Sequence, residues 1–538
     1  MPVAAMFLAL WLIVDPRTPD LAAQVYRVGL FHDVGFAVWD NNWYAGYYLP
    51  GYSLLFPPLA SLLGMRVVAS LSVIASAALF ERLALSVYGP LARWAGAWFA
   101  VAAVGDLWLG RLTFALGVSF AMAAVLALVR GRSVSAGVLA ALCASASPVA
   151  GALLSLAGVS YALARRSPRA ALTLAAPATV LVFSQASLFP EGGFEPFSAL
   201  SFGATVIVVL AFLWALPPSQ HVLRVGGLVY LLACVLCLVI HSPMGGNVER
   251  YAVLLAGPLL LCALLAAPSA TAGGDELAGR GGLAALRASA RRRLRPAAVV
   301  ALCVSALYVV WGPVRETVVV AGDESTRASY YTPVKRFLAG HASTPIRIEV
   351  PFTRSHWEAA LLAPTVSLAR GWETQLDTRF NRVLFKPGLT AAAYGRWLHD
   401  QAVSYVALPD VPLDPSSVQE GRLIRSGLPF LREVLASRHW RIYAVLSPTP
   451  IASGPGRLIS LGHNYFALRA NGPGSFLVRE HFTRYWTVAR GVGCVGPAGG
   501  GWTSVSVRAP GTIVVRARFS LGRALGPQSS CTGSHAAP

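Results

Sequence analysis

The sequence predicts an α-helical polytopic membrane domain followed by a C-terminal extracytoplasmic domain of mixed α/β and β-sandwich structure. Three observations carry that prediction. Hydrophobic residues make up 55% and charged residues 13% of 538 residues, and the mean hydropathy is +0.57, outside the range of ordinary soluble domains. Up to Pro313 the chain is a series of apolar runs, each near the ~20 residues a helix needs to cross ~30 Å of hydrocarbon. Beyond Pro313 the texture changes to short alternating strands, aromatic residues and Pro/Gly turns.

About eleven spans are predicted, over 1–14, 67–83, 91–105, 112–129, 134–147, 149–164, 170–188, 199–216, 225–240, 251–267 and 296–312. The first run has no cationic residue ahead of it and no small-residue cleavage site before Asp15-Pro16-Arg17, so it reads as a span and not as a signal peptide. Arg and Lys near span ends accumulate on the cytoplasmic side. That rule places Arg130 and Arg132, then Arg165, Arg166 and Arg169, then Arg224, then Arg287, Arg291, Arg292, Arg293 and Arg295 inside. For the first two clusters to share a side, 134–164 must cross twice, as two short helices meeting near Ser147-Pro148. The scheme puts the N-terminus in the cytoplasm and the C-terminal domain outside, in a multi-pass protein of the cell membrane. The segment 269–296 is expected to be a basic cytoplasmic loop without a catalytic role. The net charge of +20 is met by topology and by membrane lipids with anionic headgroups; no nucleic-acid motif accompanies it, and no nucleic-acid partner is expected.

The C-terminal region divides into an α/β part, 325–446, a β-sandwich, 457–520, and a flexible tail, 521–538. In the first, helices are expected near Tyr331 to Leu338 and Ala391 to Asp400, with strands Ile346 to Val350, Ser404 to Leu408 and Trp440 to Val445. In the second, Ser504 to Arg508 and Thr512 to Arg518 alternate at period two around Ala509-Pro510-Gly511, as in a hairpin. Five cysteines, Cys143, Cys234, Cys237, Cys262 and Cys303, fall in spans and read as small apolar packing residues. Cys494 and Cys531 are the cysteines of the outer region and are candidates for a disulfide. Trp357, Trp372, Trp440, Trp486 and Trp502 are available to stack on sugars, although burial in a core is the commoner fate of such residues.

Chemistry is sought where a membrane protein places costly groups. Asp15, Asp20, Asp33, Asp40, Asp106, Glu191, Glu195 and Glu249 fall in predicted outer loops, against Glu81, Asp275 and Glu276 inside. The first outer loop, 15–66, carries four of these carboxylates with His32, Asn41, Asn42 and many aromatic residues, which is too elaborate for a simple connection. Leu21, Val25, Val28 and Leu30 suggest an amphipathic helix along the membrane surface. Leu49 to Leu59 is apolar but broken by prolines, and is expected to dip into the outer leaflet. Together these features describe a carboxylate-lined cavity under the outer domain.

The layout resembles the GT-C class of membrane glycosyltransferases. Pro19-Asp20 ahead of the amphipathic helix is similar in position to that class's first-loop acid, and Trp39-Asp40-Asn41-Asn42-Trp43 with Gly46 is similar to loop sequences of related membrane proteins. The resemblance covers the whole chain in architecture. It implies a polyprenyl-phosphate sugar donor, an acceptor that is an envelope glycan, lipid or protein, and an essential acid after span one. The first outer loop, 15–66, lacks an adjacent Asp-Asp or Asp-Glu pair and an Asp-x-Asp, a departure that bears on any metal requirement.

Sugar transfer to a hydroxyl needs a base for the acceptor proton, and Asp20 is the candidate, with Asp40 to orient the acceptor or the base. The two would hold Mg²⁺ or Mn²⁺ together if a divalent cation is used. The plainer alternative for Asp20 is a helix N-cap. Asp33, His32, Asn41 and Asp106 are candidate substrate-binding residues. Four predicted outer arginines, Arg27, Arg66, Arg111 and Arg250, are candidates for the donor phosphate, and Asn247 in Gly245-Gly-Asn-Val-Glu-Arg250 lies beside the last. Their alternative is snorkelling to headgroups or pairing with Asp106 or Glu249. A transporter or lipid flippase is the competing function, disfavoured because the predicted spans carry no ionisable group at their centres; a non-catalytic envelope scaffold is the third reading.

Overall fold

The computed structural model describes residues 2–266, 296–341, 344–526 and 531. Apart from Pro296, the basic loop expected over 269–296 lies outside them. The chain forms two compact units: Met1–Pro16, Tyr52–Gln185 and Phe194–Val318 make the first, and Arg17–Gly51, Ala186–Gly193 and Val319–Pro538 the second. Most of the acidic first loop, expected with the membrane domain, thus belongs to the second unit.

The first unit is helical. Among the described residues, seven helices are long and apolar enough to cross a membrane: Met65–Tyr88, Leu112–Val129, Pro148–Arg165, Ala171–Leu188, His221–Val239, Gly245–Leu265 and Pro296–Val320. Pro2–Val14, Arg93–Trp108, Ser133–Ala146 and Ala199–Ala215 coincide with the other four apolar runs but are only 13, 16, 14 and 17 residues long. The eleven runs are therefore all helical, whereas eleven crossings are not established. Outward-facing apolar side chains such as Leu307 (72% exposed) and Trp214 (67%) suit a lipid environment, and the protein is a multi-pass membrane protein.

The helices Ser133–Ala146 and Pro148–Arg165 meet at Ser147, where the sequence places the break. Pro148 lacks an N–H and is favoured at the first helical position, and the Ser147 hydroxyl accepts from the Ala150 N–H at 3.3 Å. Small residues bring these helices together: a Cβ on Gly151 would lie 2.7 Å from that of Ala144. The proline-broken stretch after Leu49 becomes the helix Phe56–Leu63, with Ser53 Oγ donating to the Ala146 carbonyl at 2.7 Å.

The second unit contains a five-stranded sheet in the order Ser367–Leu368, Arg347–Glu349, Val403–Pro409, Trp440–Val445, Leu431–Ala436. The first three strands are parallel and the last two run antiparallel to their neighbours. The helices Thr332–His341 and Ala391–Asp400 lie where the sequence predicts them. Two four-stranded antiparallel sheets form the sandwich. One has the order Trp486–Arg490, Gly511–Ala517, Tyr465–Ala470, Gly456–Gly462, and the other Gly493–Pro497, Trp502–Val507, Gly474–His481, Ala452–Ser453. Phe466, Leu468, Phe476, Trp486, Val505 and Val515 fill the space between them.

The expected hairpin around Ala509-Pro510-Gly511 is absent. Trp502–Val507 pairs with Gly474–His481 and Gly493–Pro497, whereas Gly511–Ala517 pairs with strands of the opposite sheet. Period-two alternation reports that one face is buried; it does not say which strand lies alongside. Cys494 and Cys531 form a disulfide. Leu521–Leu525 is a short helix where a flexible tail is expected, and Arg523 Nη1 donates to the Trp486 carbonyl at 2.7 Å. Trp357, Trp440 and Trp486 are buried, at 5%, 1% and 1% exposure, so these three are core residues.

Candidate functional site

The first loop folds as part of the second unit. Thr18 is the N-cap residue of the helix Pro19–Val34, with Pro19 at its first position and Asp20 in its first turn. Asp20 is therefore not the N-cap; its carboxylate sits where the helix dipole favours negative charge, and it is half-buried. The helix does not rest on a membrane surface by an apolar stripe alone. Leu21, Ala22, Ala23, Gln24, Tyr26, Arg27 and Leu30 are all buried in protein. Its last turn leaves His32 and Asp33 exposed.

Past Gly35 the chain makes a small antiparallel pair, Trp39–Asp40 with Tyr47–Tyr48. The turn between them is strained: Tyr44 and Ala45 have φ of 57° and 58°, and Gly46 follows at 115°. It is held by bonds to distant segments. Trp43 Nε1 donates to the Ala359 carbonyl at 3.0 Å, Asn42 Nδ2 to the Ala363 carbonyl at 2.6 Å, and Tyr44 Oη to the Gly371 carbonyl at 2.5 Å.

Asp40 is fully buried. Its Oδ2 accepts from Tyr26 Oη at 2.7 Å, and its Oδ1 lies 3.0 Å from His463 Nδ1 and accepts from the Asn42 N–H at 3.3 Å. Burial alone lowers the His463 pKa, but the bond to Asp40 and its charge, helped by Asp33, outweigh that and raise it above the ordinary imidazole value. Asn41 is equally sealed: its amide donates to the Gly462 and Tyr465 carbonyls at 2.8 and 3.3 Å and accepts from Trp39 Nε1 at 2.9 Å. The substrate contact expected of Asn41 is thus replaced by a structural one, because its polar groups are spent on the fold. A divalent cation shared by Asp20 and Asp40, the arrangement considered if the reaction uses one, would have to compete with the bonds that Asp40 makes. Three donors already occupy the Asp40 oxygens, and among the described residues no group of three His, Cys, Asp or Glu side chains could hold a metal ion.

A second cluster was not singled out from the sequence. Arg27 lies over the rings of Trp43 and Tyr47, at 5.2 and 5.9 Å, and forms an ion pair with Glu373. Glu191 meets Glu373 in turn. Burial, and then the Glu373 charge, push the Glu191 carboxyl well above the ordinary carboxylate range; burial raises the Glu373 carboxyl as well, with the Arg27 charge opposing it. Glu191 and Arg27 are legible one by one as an acid and a cation of outer loops, but Glu373 lies 346 positions from Arg27, and no spacing rule links them.

In the helical unit the predicted substrate-binding residues converge. Arg111 Nη1 is 3.9 Å from Asp106 Oδ1, and its Nη2 is 3.9 Å from Glu249 Oε1. Arg250 Nη2 donates to Asn247 Oδ1 at 2.5 Å and its guanidinium lies 5.3 Å from the centre of the Phe114 ring. Gly110, at φ 77°, turns the chain between the helices that carry Asp106 and Phe114. Arg66 is not part of this group: it pairs with Asp15 at 2.5 Å, with 59% and 34% of the two side chains exposed, a surface contact of little energetic weight.

Fold and site together define a multi-pass membrane protein whose first loop is built into a C-terminal α/β and β-sandwich unit. No protein-family model and no curated protein matches the sequence. Among solved structures the chain is similar to the crystal structure of ArnT from Cupriavidus metallidurans in the apo state, at 14% identity and a TM-score of 0.41, over 82% of this chain and 97% of that one.

Proposed function

We propose that the protein is an integral membrane glycosyltransferase of the GT-C type, moving a sugar from a polyprenyl-phosphate donor to a cell-envelope acceptor on the outer face, with Asp20 as general base. The observation that supports it is how Asp20 is held. It sits in the first turn of a helix that Tyr26 fastens to Asp40 and Arg27 fastens to Glu373, and it keeps partial exposure where Asp40 has none. A carboxylate on a pinned helix is pre-organised to take a proton from an acceptor hydroxyl. Asp40 is a positioning residue in this reading. Arg111 and Arg250 supply guanidinium groups suited to a donor phosphate.

The test is transfer by the purified full-length protein in lipid, supplied with labelled polyprenyl-phosphate sugars and envelope acceptors. Asp20→Asn is expected to slow transfer about 10²–10⁴-fold without changing the melting temperature. Asp40→Asn is expected to lower both. A wild-type protein that turns over no donor but carries labelled lipid across the bilayer would sink the reading in favour of a flippase.

A further inference from the structure

The second unit holds a half-open pocket of about 440 Å³ whose lining has no role in the transfer step proposed for Asp20. Its size falls within the usual range for small-molecule sites. Trp39, Tyr47 and Tyr48 of the first loop form part of its wall, beside Glu191, Arg379 and Phe380, with His481 and Arg484 from the sandwich. Three atoms of these residues are buried without a hydrogen-bond partner among the described residues: Tyr47 Oη, Glu191 Oε1 and His481 Nε2. Tyr47 is 2% and His481 8% exposed. Buried polar groups are normally bonded, so such atoms point to a ligand that bonds them.

The charges of the lining are unbalanced. Glu191 is its one acid among the described residues, and burial beside Glu373 pushes its carboxyl well above the ordinary carboxylate range. Burial pushes His481 down to about 3, so it is neutral, and its ring is stacked between Phe380 and Trp502 at 4.1 and 4.6 Å. Arg379 and Arg484 are two cations against that single acid, and Glu191 is the charge that faces Arg379. Aromatic walls, a few convergent polar atoms and two guanidinium groups suit an oxygen-rich ring that carries negative charge.

We propose that this cavity binds an anionic saccharide, with the sugar ring against the aromatic wall and a carboxylate or phosphate at Arg379 and Arg484. The proposal deepens the glycosyltransferase reading and rests on it in one respect: the bound saccharide is then the terminal part of the acceptor.

Binding of D-glucuronic acid, D-glucose 1-phosphate, D-glucose and inorganic phosphate to the full-length protein in lipid nanodiscs, followed by saturation-transfer NMR and calorimetry, tests it. The two anionic sugars should each bind about tenfold or more tighter than glucose and than inorganic phosphate, with the lead over glucose shrinking at high salt. Their relative affinities tell a carboxylate from a phosphate site. Arg379→Gln and Tyr47→Phe should each weaken binding about tenfold with the melting temperature unchanged, since the Tyr47 hydroxyl has no partner among the described residues. Glucose binding as well as its acids, inorganic phosphate matching the sugar phosphate, or binding indifferent to both substitutions would overturn the proposal. Because binding is read without turnover, binding without transfer from any lipid-linked donor defeats the functional reading alone, and transfer without binding defeats this one alone.

Discussion

The Asp40 carboxylate and the His463 imidazole, 423 positions apart, meet at 3.0 Å and tie the first loop to the β-sandwich. The contact raises the His463 pKa in the folded protein above its ordinary value of about 6.5. The folded state then binds the proton more tightly than the unfolded one. Stability from this pair is fully present below about pH 6.5 and is lost as pH rises through the raised value. Melting curves of the protein in detergent between pH 5.5 and 8.5 should show that fall. Asp40→Asn should remove most of the dependence and cost about 1–3 kcal/mol, since Tyr26 and His463 lose a charged acceptor. A slope that survives Asp40→Asn would assign it to another group.

Glu191 and Glu373 should respond oppositely to the same substitution. Burial and the Glu373 charge favour the neutral form of Glu191, so the effect of Glu191→Gln on stability should stay below about 1 kcal/mol. Glu373→Gln removes the carboxylate from a buried Arg27 and should cost about 3–5 kcal/mol. The pH dependence separates them further. A carboxyl with a raised folded pKa favours folding at low pH, so the wild type loses stability as pH climbs from the ordinary carboxylate range to the raised one. Glu191→Gln should flatten that part of the curve; a larger loss from Glu191→Gln than from Glu373→Gln would reverse the assignment of the proton.

Legibility in the sequence followed the range of the physics involved. Hydropathy is local, and every apolar run is a helix, including the break at Ser147, where Pro148 and a capping hydroxyl act within three residues. The disulfide was accessible because Cys494 and Cys531 are the cysteines of their region. Pairing was not local. The alternation of Ser504 to Arg508 and Thr512 to Arg518 marks two half-buried strands equally well whether they face each other or sit in opposite sheets. Asp40 was recognisable as an unusual carboxylate, but whether it faces a substrate or His463 depends on a partner across most of the chain. The Glu191 and Glu373 pair shows the same limit.

Two glycines of the first loop should behave in contrasting ways. Gly46 has φ of 115°, and a Cβ there would lie 2.4 Å from Trp39 Cζ2. Trp39 cannot yield, because its Nε1 is bonded to Asn41 and its ring packs against Tyr48 and Trp486 at 4.8 and 6.0 Å. Gly46→Ala should therefore cost about 3 kcal/mol, the upper end of overpacking. Gly29, inside the helix Pro19–Val34, has nothing within 4 Å of its Cβ position, and Gly29→Ala should stabilise by up to about 1 kcal/mol. Melting temperatures of the two variants decide it, and a tolerated Gly46→Ala would mean that the turn is looser than its contacts imply.

The disulfide joins positions 37 residues apart, and closing a loop of that size constrains the unfolded chain enough to contribute about 3–4 kcal/mol. Cys494 lies on Gly493–Pro497, which pairs with Trp502–Val507 at the edge of its sheet, so the bond anchors a strand supported on one side. Reduction, or Cys494→Ser with Cys531→Ser, should lower the melting temperature and raise amide exchange first in Gly493–Pro497. Thiol labelling of the native protein gives an independent readout, because Cys143, Cys234, Cys237, Cys262 and Cys303 lie in apolar helices of the first unit. Before reduction, Cys494 and Cys531 should take up no water-soluble label, and after reduction both should. Labelling of Cys494 without reductant, or an unchanged melting curve after reduction, would show that the sandwich closes without the bond.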